Sequence, residues 1–165
     1  MTETGNGANG NGSEDQAQAE SAPRLAILTQ YVKDLSFENP KAPYGLQQGQ
    51  ARPEIQINVD VQARQLGADQ FEVMLDLKVD ASSAGDPVFL IELSYGGVFG
   101  LANIAQEHIQ PLLLIECPRL LFPFARRVVA DCTRDGGFPP LMIDPIDFVA
   151  LFRRRVAEQG ETAEV

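Results

Sequence analysis

The chain has 165 residues and a mass of 18.0 kDa, which suits one domain with tails. Hydrophobic residues make up 44% and charged residues 22%, and no apolar run approaches the roughly 18 residues of a membrane span. The acidic N-terminus has no apolar signal region and the two cysteines form no disulfide framework, so we expect a cytoplasmic protein without membrane insertion.

The net charge of −10 is concentrated at the two ends. Residues 1–22 and 156–165 hold seven acidic residues and no Lys or Arg, and so carry −7 of the total. Because they offer little apolar surface to bury, both are predicted to be disordered acidic tails around a domain at 23–155. The acidic excess within 25–99 disfavours binding to nucleic acid.

Four segments alternate hydrophobic and polar residues, which predicts β-strands with one covered and one wetter face. They span 25–38, 54–64, 70–81 and 88–95, and a turn is expected at Gly96 and Gly97. Short links after the second and third strands favour antiparallel pairing, whereas the loop at 39–53 is long enough to be functional. The apolar side of the first strand is predicted to hold Leu25, Ile27, Tyr31, Leu35 and Phe37.

After Pro118 the apolar spacing changes to three and four, which predicts an amphipathic helix. Pro123 is expected to bend it, and Gly136 and Gly137 to end it. Asp147 is predicted to cap a C-terminal helix. Its inward side would hold Phe148, Leu151 and Phe152, and its last turn would hold the cationic residues Arg153, Arg154 and Arg155. The fold class is therefore α+β: a four-stranded antiparallel sheet, a long bent helix and a C-terminal helix.

The polar sides of the predicted strands are strongly acidic. Only Arg64 and Lys78 oppose eight carboxylates there, which are Asp34, Glu38, Glu54, Asp60, Glu72, Asp76, Asp80 and Glu92. This side is either an ordinary solvated face or a docking surface for a basic partner.

Apolar residues are more abundant than two helices on a four-stranded sheet can cover. Nine phenylalanines are spread over the predicted strands and helices. A plain hydrophobic core explains most of them, and the remaining apolar surface requires a partner subunit or an open groove.

Catalysis has little support in the residue pattern. Cys117 and the single histidine, His108, form a conceivable Cys–His pair, but a buried structural cysteine and a surface histidine are the ordinary alternative. The glycines at 96–100 lack the order of a phosphate loop. We expect no catalytic residue, no metal site and no cofactor.

Several longer motifs resemble the SecB protein-export chaperones. They are DLSFENP at 34–40, RPE at 52–54, FEV at 71–73, GGVF at 96–99, CP at 117–118, LFPFAR at 121–126 and GFPPL at 137–141. The resemblance implies an ATP-independent holdase that keeps precursors of exported proteins unfolded and passes them to the SecA motor. It also implies a homotetramer built as a dimer of dimers.

The same resemblance implies three sets of site residues. Asp34, Glu38, Leu90 and Glu92 match the site for the basic, zinc-containing C-terminal tail of SecA. Unfolded substrate would contact Ile55, Ile57 and Val59, with Phe37, Tyr44 and Phe152 as flanking candidates. The subunit contact would involve Ile91, Leu93 and Tyr95. The chain departs from the family pattern in having no tryptophan and in the stretch YGLQQGQ at 44–50.

Two other functions remain open from the residues alone. One is an adaptor that docks a basic protein tail on the acidic side without holding a client. The other is a hydrolase that uses Cys117 and His108.

Overall fold

A computed structural model describes residues 21–163 of the protein. Its sheet consists of β1 (Arg24–Glu38), β2 (Glu54–Gln65), β3 (Gln70–Ser83) and β4 (Asp86–Ala102). The strand order is β1-β4-β3-β2 and every neighbouring pair is antiparallel, which confirms the predicted four-stranded sheet. The loop at 39–53 carries the chain from one edge strand, β1, to the other, β2.

The predicted turn at Gly96 and Gly97 is wrong, because β4 continues through both residues. A Cβ atom on Gly96 would lie 2.7 Å from Cε2 of Tyr31, and one on Gly97 would lie 2.9 Å from Cδ2 of Leu121. Close packing on the two faces of the strand, rather than a chain reversal, therefore explains these glycines.

Two bulges in β1 change which face its residues occupy. The pairing register with β4 shifts between Ile27 and Thr29 and again between Val32 and Asp34. Each extra residue inverts the alternation of side chains. Tyr31, which was predicted on the apolar side, consequently lies on the polar face opposite Gly96.

The long helix begins earlier than the sequence predicted. α1 (Gln106–Pro111) leads through a π-helical segment (Leu112–Glu116) into α2 (Cys117–Asp135). Prolines lack the N–H that closes a helical turn, and the wider π turn lies between Pro111 and Pro118. α2 ends at the predicted glycines, where Gly137 has a left-handed φ of 90°.

The C-terminal helix α3 (Phe148–Ala163) is capped as predicted, since the Ala150 N–H donates to Asp147 Oδ1 at 3.0 Å. It continues to Ala163, whereas the sequence predicted a disordered tail at 156–165. The Ala, Glu and Gln residues of this stretch favour helix, and the preceding turns are held against the core by Leu151 and Phe152. The three arginines at 153–155 therefore lie in mid-helix and not at its end. Most of the predicted N-terminal tail, residues 1–20, lies outside the described residues.

The core lies between the helices and the two central strands. Side chains of β3 and β4 such as Val73, Leu75, Val79 and Ile91 are fully buried on this face. The edge strands are covered less completely, and their exposed apolar residues are Ile27, Leu28, Val32 and Leu35 on β1 and Ile55 and Ile57 on β2. Among residues 21–163, no helix is both long and apolar enough to cross a membrane.

Candidate functional site: an acidic sheet face and an apolar groove

The strand register places all eight predicted carboxylates on the sheet face opposite the helices. We call this surface the acidic face, and it comprises Asp34, Glu38, Glu54, Asp60, Glu72, Asp76, Asp80 and Glu92. One row crosses all four strands, in which Asp60 pairs with Asp76, Asp76 with Ser94, and Ser94 with Asp34. Carboxylates from different strands are thereby brought into one continuous surface.

The four residues that the resemblance assigned to the SecA tail lie together on β1 and β4. Glu38 pairs directly with Leu90, and the neighbouring Ser36 pairs with Glu92. Leu90 also pairs with Asp80 on β3, so that strand adds a further carboxylate beside the predicted set. The sequence could not identify this neighbour, because it is brought there only by cross-strand pairing.

One carboxylate of the acidic face, Glu72, is nearly buried and fully partnered. Its Oε2 accepts a hydrogen bond from the Tyr31 hydroxyl at 2.5 Å, and its Oε1 accepts one from Arg64 Nε at 2.8 Å. Lys33 Nζ lies 3.6 Å from the same Oε1. The hydrogen bonds from Arg64 and Tyr31 lower the pKa of Glu72 to about 2, while burial and Glu72 together raise the pKa of Tyr31 to about 12.

An open groove separates β2 from α3 on the other side of the sheet. Its volume is about 1100 Å³, and its lining is mixed. The larger apolar side chains are Ile57, Val59, Val61, Leu114, Ile146, Leu151 and Phe152, and polar and charged side chains such as Asp60, Asp147, Arg154, Arg155 and Glu158 border them. We call it the apolar groove after the side chains that a client would contact. Three of the predicted substrate-binding residues, Ile57, Val59 and Phe152, are thus brought together. Across the groove, the Arg155 guanidinium donates to the Val61 carbonyl and ties α3 to the edge strand.

Phe37 and Tyr44, also predicted to bind substrate, are in a different place. Phe37 belongs to an aromatic cluster in which its ring centroid lies 6.2 Å from that of Phe89, and Phe89 lies 5.0 Å from Phe138. Tyr44 is 75% exposed in a short 3₁₀ turn of the loop at 39–53. This loop is fixed to the end of α2, where Asn39 Nδ2 donates to the Gly136 carbonyl at 2.9 Å.

The structure contradicts the predicted subunit contact at Ile91, Leu93 and Tyr95. These residues are 0%, 2% and 8% exposed within a single chain. They lie on a central strand and face the helices, so they form the core rather than a contact surface. The apolar residues that do reach the surface of the sheet belong to its edge strands.

The environments of Cys117 and His108 do not support a catalytic pair. Cys117 is fully buried, and burial raises the pKa of its thiol to about 12, so the nucleophilic thiolate is disfavoured. His108 is exposed beside Glu107, whose carboxylate lies 3.8 Å from its Nε2. The ordinary alternative, a buried structural cysteine and a surface histidine, fits both residues.

The fold has a close counterpart among solved structures of chaperones. The SecB-like chaperone Rv1957 of Mycobacterium tuberculosis, solved in complex with a ChAD peptide from the Rv1956 HigA1 antitoxin, superposes with a TM-score of 0.62. The identity is 16%, and the match covers 75% of this chain and 91% of that one. This likeness establishes a shared fold.

The sequence comparisons are more specific. Residues 18–159 match the family described as preprotein translocase subunit SecB. The chain is 54% identical over 142 residues to the protein-export protein SecB of Bartonella quintana, covering 86% of this chain and 90% of that protein. It is 56% identical over 149 residues to that of Maricaulis maris, covering 90% and 86%. The chain belongs to the SecB family, and its role is that of a chaperone in protein export.

Proposed function

We propose that this protein is an ATP-independent holdase that binds unfolded precursors of exported proteins in the cytoplasm and delivers them to the SecA motor. The observation that carries the proposal is the position of two chemically different surfaces on one sheet. The apolar groove lies beside β2 and α3, and the acidic face lies on the side away from the helices. A client and a basic partner can therefore be held simultaneously.

Client capture follows from the physical character of the groove. An unfolded chain exposes apolar side chains that a native protein buries. Each medium-sized side chain that enters an apolar site contributes about 1.5–3 kcal/mol before ordering costs, so useful affinity requires several contacts together. Ile57, Val59 and Phe152 offer such contacts without selecting a particular sequence. The aromatic cluster around Phe37 and the exposed Tyr44 would extend the client path.

Delivery follows from the acidic face. We assign the contacts with the basic, zinc-containing C-terminal tail of SecA to Asp34, Glu38, Leu90 and Glu92, which lie together on β1 and β4. Carboxylates attract a cationic segment and speed its encounter, while Leu90 offers an apolar contact among them.

We further propose that the working form is a homotetramer, a dimer of dimers. The exposed apolar residues on the β1 edge, including Leu28 and Val32, are better covered in such an assembly than in water. Four grooves in one tetramer also increase the affinity for a long unfolded chain, because every contact after the first forms within the same complex.

The proposal is tested by mixing the protein with a urea-unfolded precursor and measuring the mass of the complex by gel filtration and native mass spectrometry. We expect a tetramer that retains the precursor after the urea is diluted. A chain that stays monomeric and captures nothing would refute the holdase. If it binds the SecA tail without capturing precursor, it is the adaptor that the sequence left open.

The docking site is tested separately by Asp34→Lys combined with Glu92→Lys. We expect binding of a zinc-loaded SecA tail peptide to be lost while precursor capture is retained. The matched control is Glu107→Lys combined with Asp135→Lys, which reverses two charges at exposed positions of the helices, outside both the acidic face and the groove. Loss of both activities in the double variant would show that the assignment of the docking site is wrong.

A further inference from the structure

The acidic face contains basic side chains that work against its attraction for a cationic partner. Arg64 and Lys33 lie on it together with Asp34 and Asp76, and all four line one shallow cavity of about 480 Å³. In this structure neither cation pairs with those two aspartates, and Asp76 instead accepts a hydrogen bond at Oδ1 from the Ser94 hydroxyl at 2.5 Å, which leaves its charge unneutralised. Both cations are held by Glu72, at 2.8 Å from Arg64 and 3.6 Å from Lys33.

We propose that Glu72 is a positioning residue of the docking surface: it holds Arg64 and Lys33 so that Asp34 and Asp76 stay available to a lysine- and arginine-rich segment of the partner. This inference rests on the proposed docking function. Glu72 is only 9% exposed, so it acts through the two cations it holds rather than as a principal contact of the partner.

The backbone is arranged to hold this cluster in place. The second β1 bulge, between Val32 and Asp34, occurs at Lys33, whose amine reaches Glu72 on the polar side. Tyr31 lies over Gly96, where any side chain would collide with its ring, and from there its hydroxyl donates to Glu72. Residues of β1 and β2 thus converge on one carboxylate of β3, and Tyr31 reaches it across a glycine of β4.

Without Glu72, the two cations would turn to the nearest remaining carboxylates. The side chains of Arg64 and Lys33 are 65% and 50% exposed, so they are free to move. Asp34 and Asp76 share their cavity, and an intramolecular ion pair there would compete with the partner. Fewer carboxylates would then be left for the partner, which lowers the salt dependence of its binding as well as its affinity.

The test measures binding of a short, fluorescein-labelled peptide rich in lysine and arginine, over a series of salt concentrations. For Glu72→Gln we expect affinity at low salt to fall roughly tenfold, with a shallower salt dependence. The control Glu54→Gln removes the same charge from an exposed position of the face, and we expect a change of about twofold or less. Equal effects of the two substitutions would overturn the inference.

Rescue separates positioning from a merely structural role. In the Glu72→Gln background, adding Arg64→Gln and Lys33→Gln should restore affinity to within about twofold of wild type, because no freed cations remain. A structural defect would persist or worsen when more contacts are removed, and failure of rescue would therefore refute the proposal. Precursor capture, measured on the same variants, should stay unchanged.

A single substitution tests the same idea without altering Glu72. Because Glu72 already holds Arg64, we expect Arg64→Gln alone to change peptide affinity by no more than about twofold. A severalfold gain would mean that Arg64 repels the partner in the wild type and is not held away. If the wild-type protein binds neither this peptide nor the zinc-loaded SecA tail, the docking function itself fails, which distinguishes that failure from failure of the inference.

Discussion

The two faces of this sheet are built from the same four strands, yet they differ in how their side chains are covered. The helix-covered face is closed at its centre, where Leu77 and Leu93 are each 2% exposed, and open at its edges, where Leu35 is 40% exposed. Within residues 21–163 no helix covers the acidic face, and the nearly buried Glu72 is satisfied there by side chains from the two edge strands. The buried side chains that stabilise the fold therefore lie in the central strands, whereas the groove and the acidic face use side chains outside this core.

The sharpest way to test this division is a pair of leucines in one row of the sheet. Leu77 on β3 and Leu35 on β1 both pair with Leu93 and face the same side. Because Leu77 is buried among the helices, Leu77→Ala should lower the free energy of unfolding by about 2–5 kcal/mol. Leu35→Ala should cost about 1 kcal/mol or less, because much of that side chain is already in water. Urea denaturation measures both values, and similar costs would contradict a closed centre with open edges.

A second pair compares the two open edges of the covered face. Ile57 on β2 is 36% exposed and lines the groove, and Ile27 on β1 is 39% exposed at the far edge. We expect Ile57→Ser to weaken capture of an unfolded precursor about tenfold, which corresponds to about 1.4 kcal/mol of lost contact. Once native mass spectrometry has shown that the variant is still a tetramer, Ile27→Ser should leave capture unchanged, since it removes the same side chain away from the groove.

Fluorescence titration with a labelled, reduced precursor fragment measures both affinities. Equal losses would mean that the client contacts both edges, and the groove would then not be the principal site. Binding of the SecA tail peptide serves as the internal control and should be the same in both variants.

Alternation in the sequence was sufficient to predict the strands and the acidic face, and the short links between strands were sufficient to predict antiparallel pairing. It failed at β1, because a bulge inserts a residue without any mark in the composition, and Tyr31 therefore changes face. It also failed at Gly96, where glycine usually signals a turn but here makes room for a tyrosine ring. The hydrophobic pattern of a segment reflects its own preference for a strand or a turn. The bulge and the packing of Tyr31 on Gly96 depend instead on the neighbouring strand.

The candidate site divides in the same manner. The resemblance assigned Ile57 and Val59 to unfolded substrate with Phe152 as a flanking candidate, and the structure brings the three side chains into one groove. The resemblance also placed Ile91 at a subunit contact, whereas the structure buries it in the core of the single chain. The sequence pattern could not correct this, because an apolar side chain on a strand looks alike in a core and in an interface. Only the position of the strand within the sheet, central for β4, distinguishes the two cases.

A hydrogen bond across the groove joins α3 to β2. Arg155 donates to the Val61 carbonyl across the groove, whereas Arg153 is an exposed arginine of the same helix. Arg155→Gln should loosen α3 and increase amide exchange at residues 148–155 about fivefold, because loss of this part-buried hydrogen bond costs about 1 kcal/mol. Arg153→Gln removes the same charge and should leave exchange unchanged. Equal exchange in both variants would show that the arginine does not anchor the helix.

The smallest expected effect is the acid sensitivity of the Glu72 cluster. Because Arg64 and Tyr31 lower the pKa of Glu72 from 4.5 to about 2, the unfolded chain binds a proton in this range that the folded chain does not. The stability that Glu72 contributes is therefore present above pH 4.5 and is lost as the pH falls through about 2. The unfolding free energy of the wild type should exceed that of Glu72→Gln at pH 6, and the difference should shrink steadily on acidification. The difference stays small because Arg64 is largely in water, where its attraction to Glu72 is screened. A difference that is independent of pH would mean that the carboxylate is held by packing rather than by its cationic and hydroxyl partners.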